Sequence, residues 1–136
     1  TSMQVDPMQG DVVPQVCAFL RQAAEGLQAL GVAAARIAVD PGIGFGKTVA
    51  QNFNLLARQQ ALCAIGYPVL AGWSRKSSLA AATSTSLSTL ATMDVQARMV
   101  PSVAAALLSV ERGARVVRVH DVRETVQALA VLQALQ

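Results

Sequence analysis

Two short segments of the chain concentrate polar groups that could do chemistry. The segment Ser74-Arg-Lys-Ser77 places two cations and two hydroxyl groups in one turn, a set suited to holding an anion through charge-assisted hydrogen bonds. Arg118 and His120 lie two residues apart among valines, so on a strand their side chains point to the same side. Both segments also have a plain interpretation, because lysine and arginine are usually solvated and a single histidine is often structural.

A third segment, Asp40-Pro-Gly-Ile-Gly-Phe-Gly-Lys-Thr48, combines a carboxylate with three glycines. Its ending resembles a phosphate-binding P-loop, but that motif needs glycine at the position of Pro41. The dinucleotide-binding fingerprint fails as well, because it needs two residues before its last glycine. The remaining alternatives are a functional loop and a tight turn between a strand and a helix.

The hydrophobic pattern predicts the elements that position these segments. Apolar residues recur at spacings of three and four from Asp11 to Leu30, which predicts a helix capped by Asp11 and ended by Gly31. Three short apolar runs predict buried strands, and each strand leads into one of the three polar segments. These runs are residues 37–39, 69–73 and 116–119.

Three further helices are predicted between and after the strands. Thr48 and Gln51 form a capping box for a helix that runs to about Gly66. A helix from about Asp94 to Arg112 contains Pro101, which predicts either a kink or a later start. Asp121 and Glu124 form a predicted capping pair for a last helix that extends to about Leu135. The serine- and threonine-rich stretch 83–93 is predicted to be a mobile connection or a frayed helix end.

This alternation of strands and helices predicts an α/β fold with right-handed crossovers and a parallel sheet. Ligands of such sheets bind at the carboxyl ends of the strands. Because all three polar segments follow strands, we expect them to converge there on one site.

The composition restricts the class of protein. Half of the 136 residues are apolar, and the net charge of +3 comes from dispersed lysines and arginines, which disfavours nucleic acid as a partner. No apolar stretch approaches the roughly 20 residues that a membrane span needs. The first ten residues lack the pattern of a signal peptide, so the expected location is cytoplasmic. Cys17 and Cys63 fall on apolar helix faces and are predicted to be inert thiols.

In their order and separations, the three segments resemble the last three strand-end motifs of dihydropteroate synthases. The resemblance extends to Gly66-Tyr-Pro-Val-Leu70, Ser102-Val-Ala-Ala-Ala106 and Gly113-Ala-Arg115, and so covers nearly the whole chain. It implies a TIM (β/α)8 barrel, of which residues 1–136 form the C-terminal part: a helix followed by the last three strand–helix units. A complete barrel needs roughly 250 residues.

The resemblance also implies an activity, the condensation of 6-hydroxymethyl-7,8-dihydropterin pyrophosphate with para-aminobenzoate to give dihydropteroate in folate biosynthesis. The implied catalytic residues are Lys76, Arg118 and His120. The implied substrate-binding residues are Asp40, Gly44, Phe45, Arg75, Lys76, Ser77, Arg118, Val119 and His120.

Several of these residues have individual roles by resemblance. Asp40 and Lys76 contact the pterin, and Phe45 belongs to a mobile loop beside the para-aminobenzoate pocket. Arg75 and Ser77 lie near the aminobenzoate carboxylate, where sulfonamides compete. Arg118 covers the pterin face and, with His120, holds the leaving pyrophosphate.

The resemblance further implies Mg²⁺ as a cofactor, with its protein ligand in the part of the barrel that precedes these motifs and no metal ligand in this chain. The expected partners are the two substrates and either a second copy, as in a dimer, or a protein that carries the first half. Two other functions stay open. One is a pterin- or anion-binding assembly module without catalysis, and the other, disfavoured by Pro41, is a nucleotide-phosphate binder.

We predict that the 136-residue chain alone makes no dihydropteroate and is not a closed monomer. Three parallel strands cannot close a barrel, so open strand edges and apolar surface favour self-association or a partner. The check is its mass in dilute solution, together with an assay containing both substrates and magnesium. A folded monomer that turns over would contradict the prediction.

Overall fold

A computed structural model of the chain describes residues 8–84 and 94–135. Its first element, α1 (Val12–Ala29), matches the helix predicted from the spacing of apolar residues. The Asp11 carboxylate caps it by accepting a hydrogen bond from the Val13 amide at 3.1 Å. The buried stripe of α1 packs on the rest of the fold and consists of Val12, Val13, Val16, Leu20 and Ala24.

The sheet is parallel, as predicted, but its hydrogen-bonded ladder is shorter than the apolar runs. Strand β1 (Leu70–Ala71) pairs with β2 (Val116–Val117), with Leu70 opposite Val116. Val69, the residue before β1, forms a single parallel bridge with Val39 on the side of the sheet opposite β2. The three predicted strands therefore lie side by side in chain order, and their carboxyl ends share one edge.

The helix predicted from Thr48 to Gly66 is two helices, α2 (Val49–Ala57) and α3 (Gln59–Cys63). Arg58 separates them, with φ −107° and ψ 25°, outside the helical region. The predicted capping box is present: Thr48 and Gln51 exchange side-chain-to-backbone hydrogen bonds of 2.9 and 3.2 Å.

Helix α4 (Ser77–Ser84) was not predicted from the sequence. Its serines, alanines and threonine give little helical hydrophobic periodicity, so the pattern that revealed the other helices is missing here. Thr83 and Ser84, the start of the predicted mobile connection, are the last residues of α4, and residues 85–93 of that connection lie outside the described residues.

Helix α5 (Met99–Glu111) begins later than Asp94, which resolves the alternatives that Pro101 left open. Pro101 lies in the first turn, where its missing N–H costs no intrahelical hydrogen bond. A 3-10 turn, Gln96–Arg98, leads into the helix. The last helix, α6 (Val122–Gln133), follows β2 directly. The predicted cap by Asp121 was wrong, because its carboxylate binds Arg75 and makes no cap hydrogen bond.

One hydrophobic core joins α1, α2 and α3 to the three strand segments and to Leu79 of α4. Trp73, just after β1, is buried against Phe53 of α2, with ring centroids 5.2 Å apart. This packing fixes the backbone from which the Ser74 turn departs. Among the helices of residues 8–84 and 94–135, none has the length and apolar character required to cross a membrane.

We predict that Leu62→Ala lowers the free energy of unfolding by about 2–5 kcal/mol, because Leu62 is 1% exposed and its removal leaves a cavity. Leu30→Ala is the matched control, since Leu30 is 83% exposed and its loss should change the stability by less than about 0.5 kcal/mol. Urea unfolding of both variants tests this, and equal effects would contradict the placement of the core.

Candidate functional site

The glycine-rich loop that follows Val39 is held by its own polar groups. The Asp40 carboxylate accepts the Gly42 amide at 2.8 Å, and Lys47 Nζ donates to the carbonyl oxygens of Gly42 and Phe45 at 2.9 and 3.0 Å. Burial lowers the pKa of Lys47, and the charge of Asp40 opposes that effect. The ammonium group of Lys47 donates to carbonyls of its own loop, which agrees with the absence of the P-loop glycine at Pro41.

Lys76 lies against this loop from the Ser74 turn. Its Nζ is 4.2 Å from the centroid of the Phe45 ring, within cation–π distance. Gly44 has φ +81°, in the left-handed region that favours glycine. A Cβ added to Gly44 would lie 3.1 Å from Lys76 Cδ, so the absence of a side chain there leaves room for the lysine. Burial lowers the pKa of Lys76, and the positive charge of Arg118 lowers it further against the opposing effect of Asp40.

Arg118 reaches the same loop from beyond β2. Its amide donates to the Ala71 carbonyl at 3.0 Å, which continues the parallel ladder one residue past the strand. Its guanidinium Nη2 lies 3.8 Å from the Asp40 carboxylate, and the two side chains keep 60% and 39% of their surface exposed. An exposed ion pair of this length is weak, so both groups can still bind a ligand.

The guanidinium of Arg118 lies over the backbone at Gly72. A Cβ added at Gly72 would meet Arg118 Nη2 at 2.7 Å, closer than atoms can approach. Glycine is therefore required there for the observed position of the arginine.

The turns after β1 and β2 are joined by two adjacent contacts. Ser74 Oγ accepts the His120 amide at 3.1 Å and lies 2.9 Å from His120 Nδ1. The next residues, Arg75 and Asp121, form a two-pronged ion pair at 2.8 and 3.3 Å. The hydrogen bonds from Arg75 lower the pKa of the Asp121 carboxyl, and those to Asp121 raise the pKa of Arg75.

Arg75 has φ +59°, in the left-handed region that non-glycine residues seldom occupy. Its amide donates to Ser102 Oγ at 2.8 Å, and its carbonyl accepts from Arg98 Nη1 at 3.0 Å. Both partners lie at the beginning of α5, so this helix holds the backbone that presents Lys76.

The structure brings together five of the residues predicted for the site: Asp40, Gly44, Phe45, Lys76 and Arg118. His120 and Arg75 lie on the adjoining turns, each with the partner described above. Ser77 is an exposed residue at the start of α4, and Val119 is half-buried between Arg118 and His120. Arg118 and His120 lie beyond β2 rather than on the predicted strand.

Sequence reasoning missed Asn52, which is 1% exposed and accepts the Gly44 amide while donating to Ser78 Oγ, both at 3.0 Å. It thereby ties the glycine loop to α4. A signal was available, because Asn52 falls on the buried helical stripe with Leu55, Leu56 and Gln59. A polar residue in such a stripe needs a partner.

Within residues 8–84 and 94–135, no group of three or more histidines, cysteines, aspartates and glutamates is placed to hold a metal ion. The chemistry available at this edge of the sheet is therefore that of one carboxylate, two nearby cations and an imidazole. Such a set can bind a ligand with an anionic part and hydrogen-bonding groups.

Comparison with known families and structures agrees with this geometry. The family described as pterin binding enzyme matches residues 1–120. The solved dihydropteroate synthases that the chain superimposes on are TIM barrels, so the chain has the fold of part of such a barrel. The chain belongs to the pterin binding enzyme family.

Individual relatives share much of the sequence. The chain is 44% identical over 135 residues to a dihydropteroate synthase of Neisseria meningitidis serogroup C and 40% identical over 133 residues to one of Haemophilus influenzae. These alignments cover 98% of this chain and 45% and 46% of the relatives. The chain thus spans a little less than half the length of the curated relatives that it matches.

Two solved structures show the similarity in three dimensions. The Xanthomonas albilineans dihydropteroate synthase with 4-aminobenzoic acid superimposes with a TM-score of 0.87 at 45% identity, covering 96% of this chain and 45% of that one. The Thermus thermophilus enzyme in complex with 6HMPPP gives 0.88 at 39% identity, covering 98% and 50%.

We predict that Gly72→Ala weakens pyrophosphate binding about tenfold, because the new Cβ displaces the Arg118 guanidinium from its place beside Asp40. Gly26→Ala, with nothing within 4 Å of its new Cβ, is the control and should bind as the wild type does. Calorimetry measures the pyrophosphate affinity of both variants, and Arg118→Ala shows the affinity that remains when the guanidinium is removed. Unchanged affinity in Arg118→Ala would contradict the assignment of Arg118, whereas unchanged affinity in Gly72→Ala alone would contradict the need for glycine at position 72.

Proposed function

We propose that this chain is the C-terminal part of a dihydropteroate synthase and supplies that enzyme with half of its active site. The observation that carries the proposal is the convergence of Asp40, Lys76 and Arg118 at the carboxyl edge of the parallel sheet. Relatives named dihydropteroate synthase that are 34–44% identical over nearly the whole chain support it.

In the proposed reaction the bond between the pterin methylene carbon and the pyrophosphate oxygen breaks, and the aromatic amine of para-aminobenzoate then forms a bond to that carbon and loses a proton. Negative charge grows on the leaving pyrophosphate. Arg118 and His120 stabilise it as positive or hydrogen-bonding groups already in place. Lys76 adds a second charge, and its desolvation strengthens its interaction with an anion or a polar ring.

The other residues of the site bind and orient the substrates in this proposal. Asp40 accepts hydrogen bonds from the pterin and lies near the positive charge that develops on it. Gly44 and Phe45 border the aminobenzoate pocket, and Ser77 and Arg75 lie on the side of its carboxylate, where sulfonamides compete. Val119 packs beside the pterin between Arg118 and His120.

Magnesium belongs to the proposal only for the whole enzyme. There the part of the barrel that precedes these motifs would supply the protein ligand, and the ion would neutralise charge on the pyrophosphate. The proposed partners are the two substrates and a second protein chain, either another copy or one with the preceding strands. The proposed compartment is the cytoplasm.

We predict that Lys76→Ala lowers the turnover of the enzyme encoded by the full open reading frame by on the order of 10² to 10³, the usual effect of losing one preorganised charge. Arg123→Ala is the control, because Arg123 is an exposed cation of α6 whose ion-pair partner among residues 8–84 and 94–135 is the adjacent Glu124. Steady-state assays with both substrates test it. An unaltered rate in Lys76→Ala would contradict a role for this lysine in catalysis.

The same preparation separates the enzyme from the alternative of a pterin-binding module without catalysis. Both bind pterin pyrophosphate, but only the enzyme releases pyrophosphate in a manner that depends on para-aminobenzoate. Binding without turnover by the full-length protein would favour the module.

A further inference from the structure

We propose that Ser74 is a positioning residue that holds the His120 imidazole through Nδ1 and keeps its Nε2–H as the donor to the leaving pyrophosphate. This inference rests on the proposed function, which identifies the anion as pyrophosphate. It adds to that function a residue that touches neither substrate and acts through the histidine.

Two contacts join the residues. Ser74 Oγ accepts the backbone N–H of His120 at 3.1 Å and lies 2.9 Å from Nδ1 of the same residue. Ser74 is 8% exposed and follows the buried Trp73, so its hydroxyl group is supplied by a rigid part of the core. The ring is thereby held at both its backbone and its Nδ1 edge.

The hydrogen-bonding capacity of the hydroxyl group selects the tautomer of the neutral ring. The backbone N–H of His120 occupies one lone pair of Ser74 Oγ, and the hydroxyl proton needs an acceptor. Among the residues that the structure describes, Nδ1 of His120 is the acceptor within reach of that proton. The alternative tautomer, with hydrogen on Nδ1, would leave the O–H of a buried serine without an acceptor, which is unfavourable.

The serine also accommodates the protonated ring. When the imidazole carries both protons, Nδ1–H donates to Oγ, because a serine oxygen can accept two hydrogen bonds. The hydroxyl proton then rotates away from Nδ1 and loses that acceptor, a loss that the charge-assisted hydrogen bond from the ring offsets. Nε2 therefore carries a hydrogen in both protonation states. His120 can donate from Nε2 to a phosphate oxygen before and after it gains a proton.

The first test measures directly which ring nitrogen of His120 carries the hydrogen. His120 is the sole histidine of the 136 residues, so a long-range proton–nitrogen NMR spectrum of the histidine-labelled chain, prepared without a histidine tag, reports it alone. At pH about 8.5, where an ordinary histidine is neutral, we expect the Nε2–H tautomer alone in the wild type. We expect a mixture in Ser74→Ala, and recovery of the single tautomer in Ser74→Thr, which keeps the hydroxyl group.

The second test determines which ring nitrogen of His120 donates a hydrogen bond to pyrophosphate. An amide nitrogen of glutamine can replace Nε2, whereas that of asparagine replaces Nδ1. We expect His120→Asn to lose about tenfold in pyrophosphate affinity, the effect of one charge-assisted hydrogen bond, and His120→Gln to lose much less.

The outcomes separate the inference from the function on which it rests. A wild type with hydrogen on Nδ1, equal tautomer populations in the wild type and Ser74→Ala, or better binding by His120→Asn than by His120→Gln would overturn the role of Ser74. Failure of the wild type to bind pyrophosphate would instead contradict the proposed function, while the NMR comparison still decides what Ser74 does.

Discussion

The site depends on the parallel hydrogen bonding between three short strand segments. The Leu70 amide donates to the Val39 carbonyl at 2.8 Å, and the Arg118 amide donates to the Ala71 carbonyl at 3.0 Å. These two bonds bring Arg118, whose guanidinium lies over Gly72, to within 3.8 Å of Asp40, 78 positions away in the sequence. Because parallel strands put their carboxyl ends at one edge, polar groups placed after each strand meet there.

The turns at that edge are held by the buried side chains of Asn52 and Ser102 and by the half-buried Arg98. Asn52 ties the glycine loop to α4, and Ser102 with Arg98 holds Arg75 in a left-handed conformation that costs about 1 kcal/mol or more. The bonds to Ser78 and Arg75 link residues 23 to 27 positions apart in the sequence, so the glycine loop and the Ser74 turn share one frame. Functional groups need such support, because small displacements weaken their interaction with a ligand.

The charges at the edge are arranged for a ligand that is itself negatively charged in part. Arg118 lowers the pKa of the neighbouring Lys76, which means that the two cations repel each other in the free protein. In the proposed function, an anion bound between them would remove that repulsion. Asp40 partly compensates one cation through a long ion pair, and the ammonium group of Lys47 donates to the loop carbonyls of Gly42 and Phe45.

The sequence by itself determined the alternation of elements, the parallel sheet, and the convergence of three polar segments, because apolar periodicity and turn residues are local signals. Its motifs also named Asp40, Lys76, Arg118 and His120 as residues of the site. It did not reveal α4, whose alanines and serines leave no apolar stripe, and it assigned Asp121 to a helix cap that tertiary contacts overrode. Only the tertiary structure decided that Arg75 pairs with Asp121, that Ser74 holds His120, and that Asn52 joins the glycine loop to α4. A hydrogen bond between residues 46 positions apart depends on how the strands pair and the helices pack, and no pattern in the neighbouring sequence encodes it.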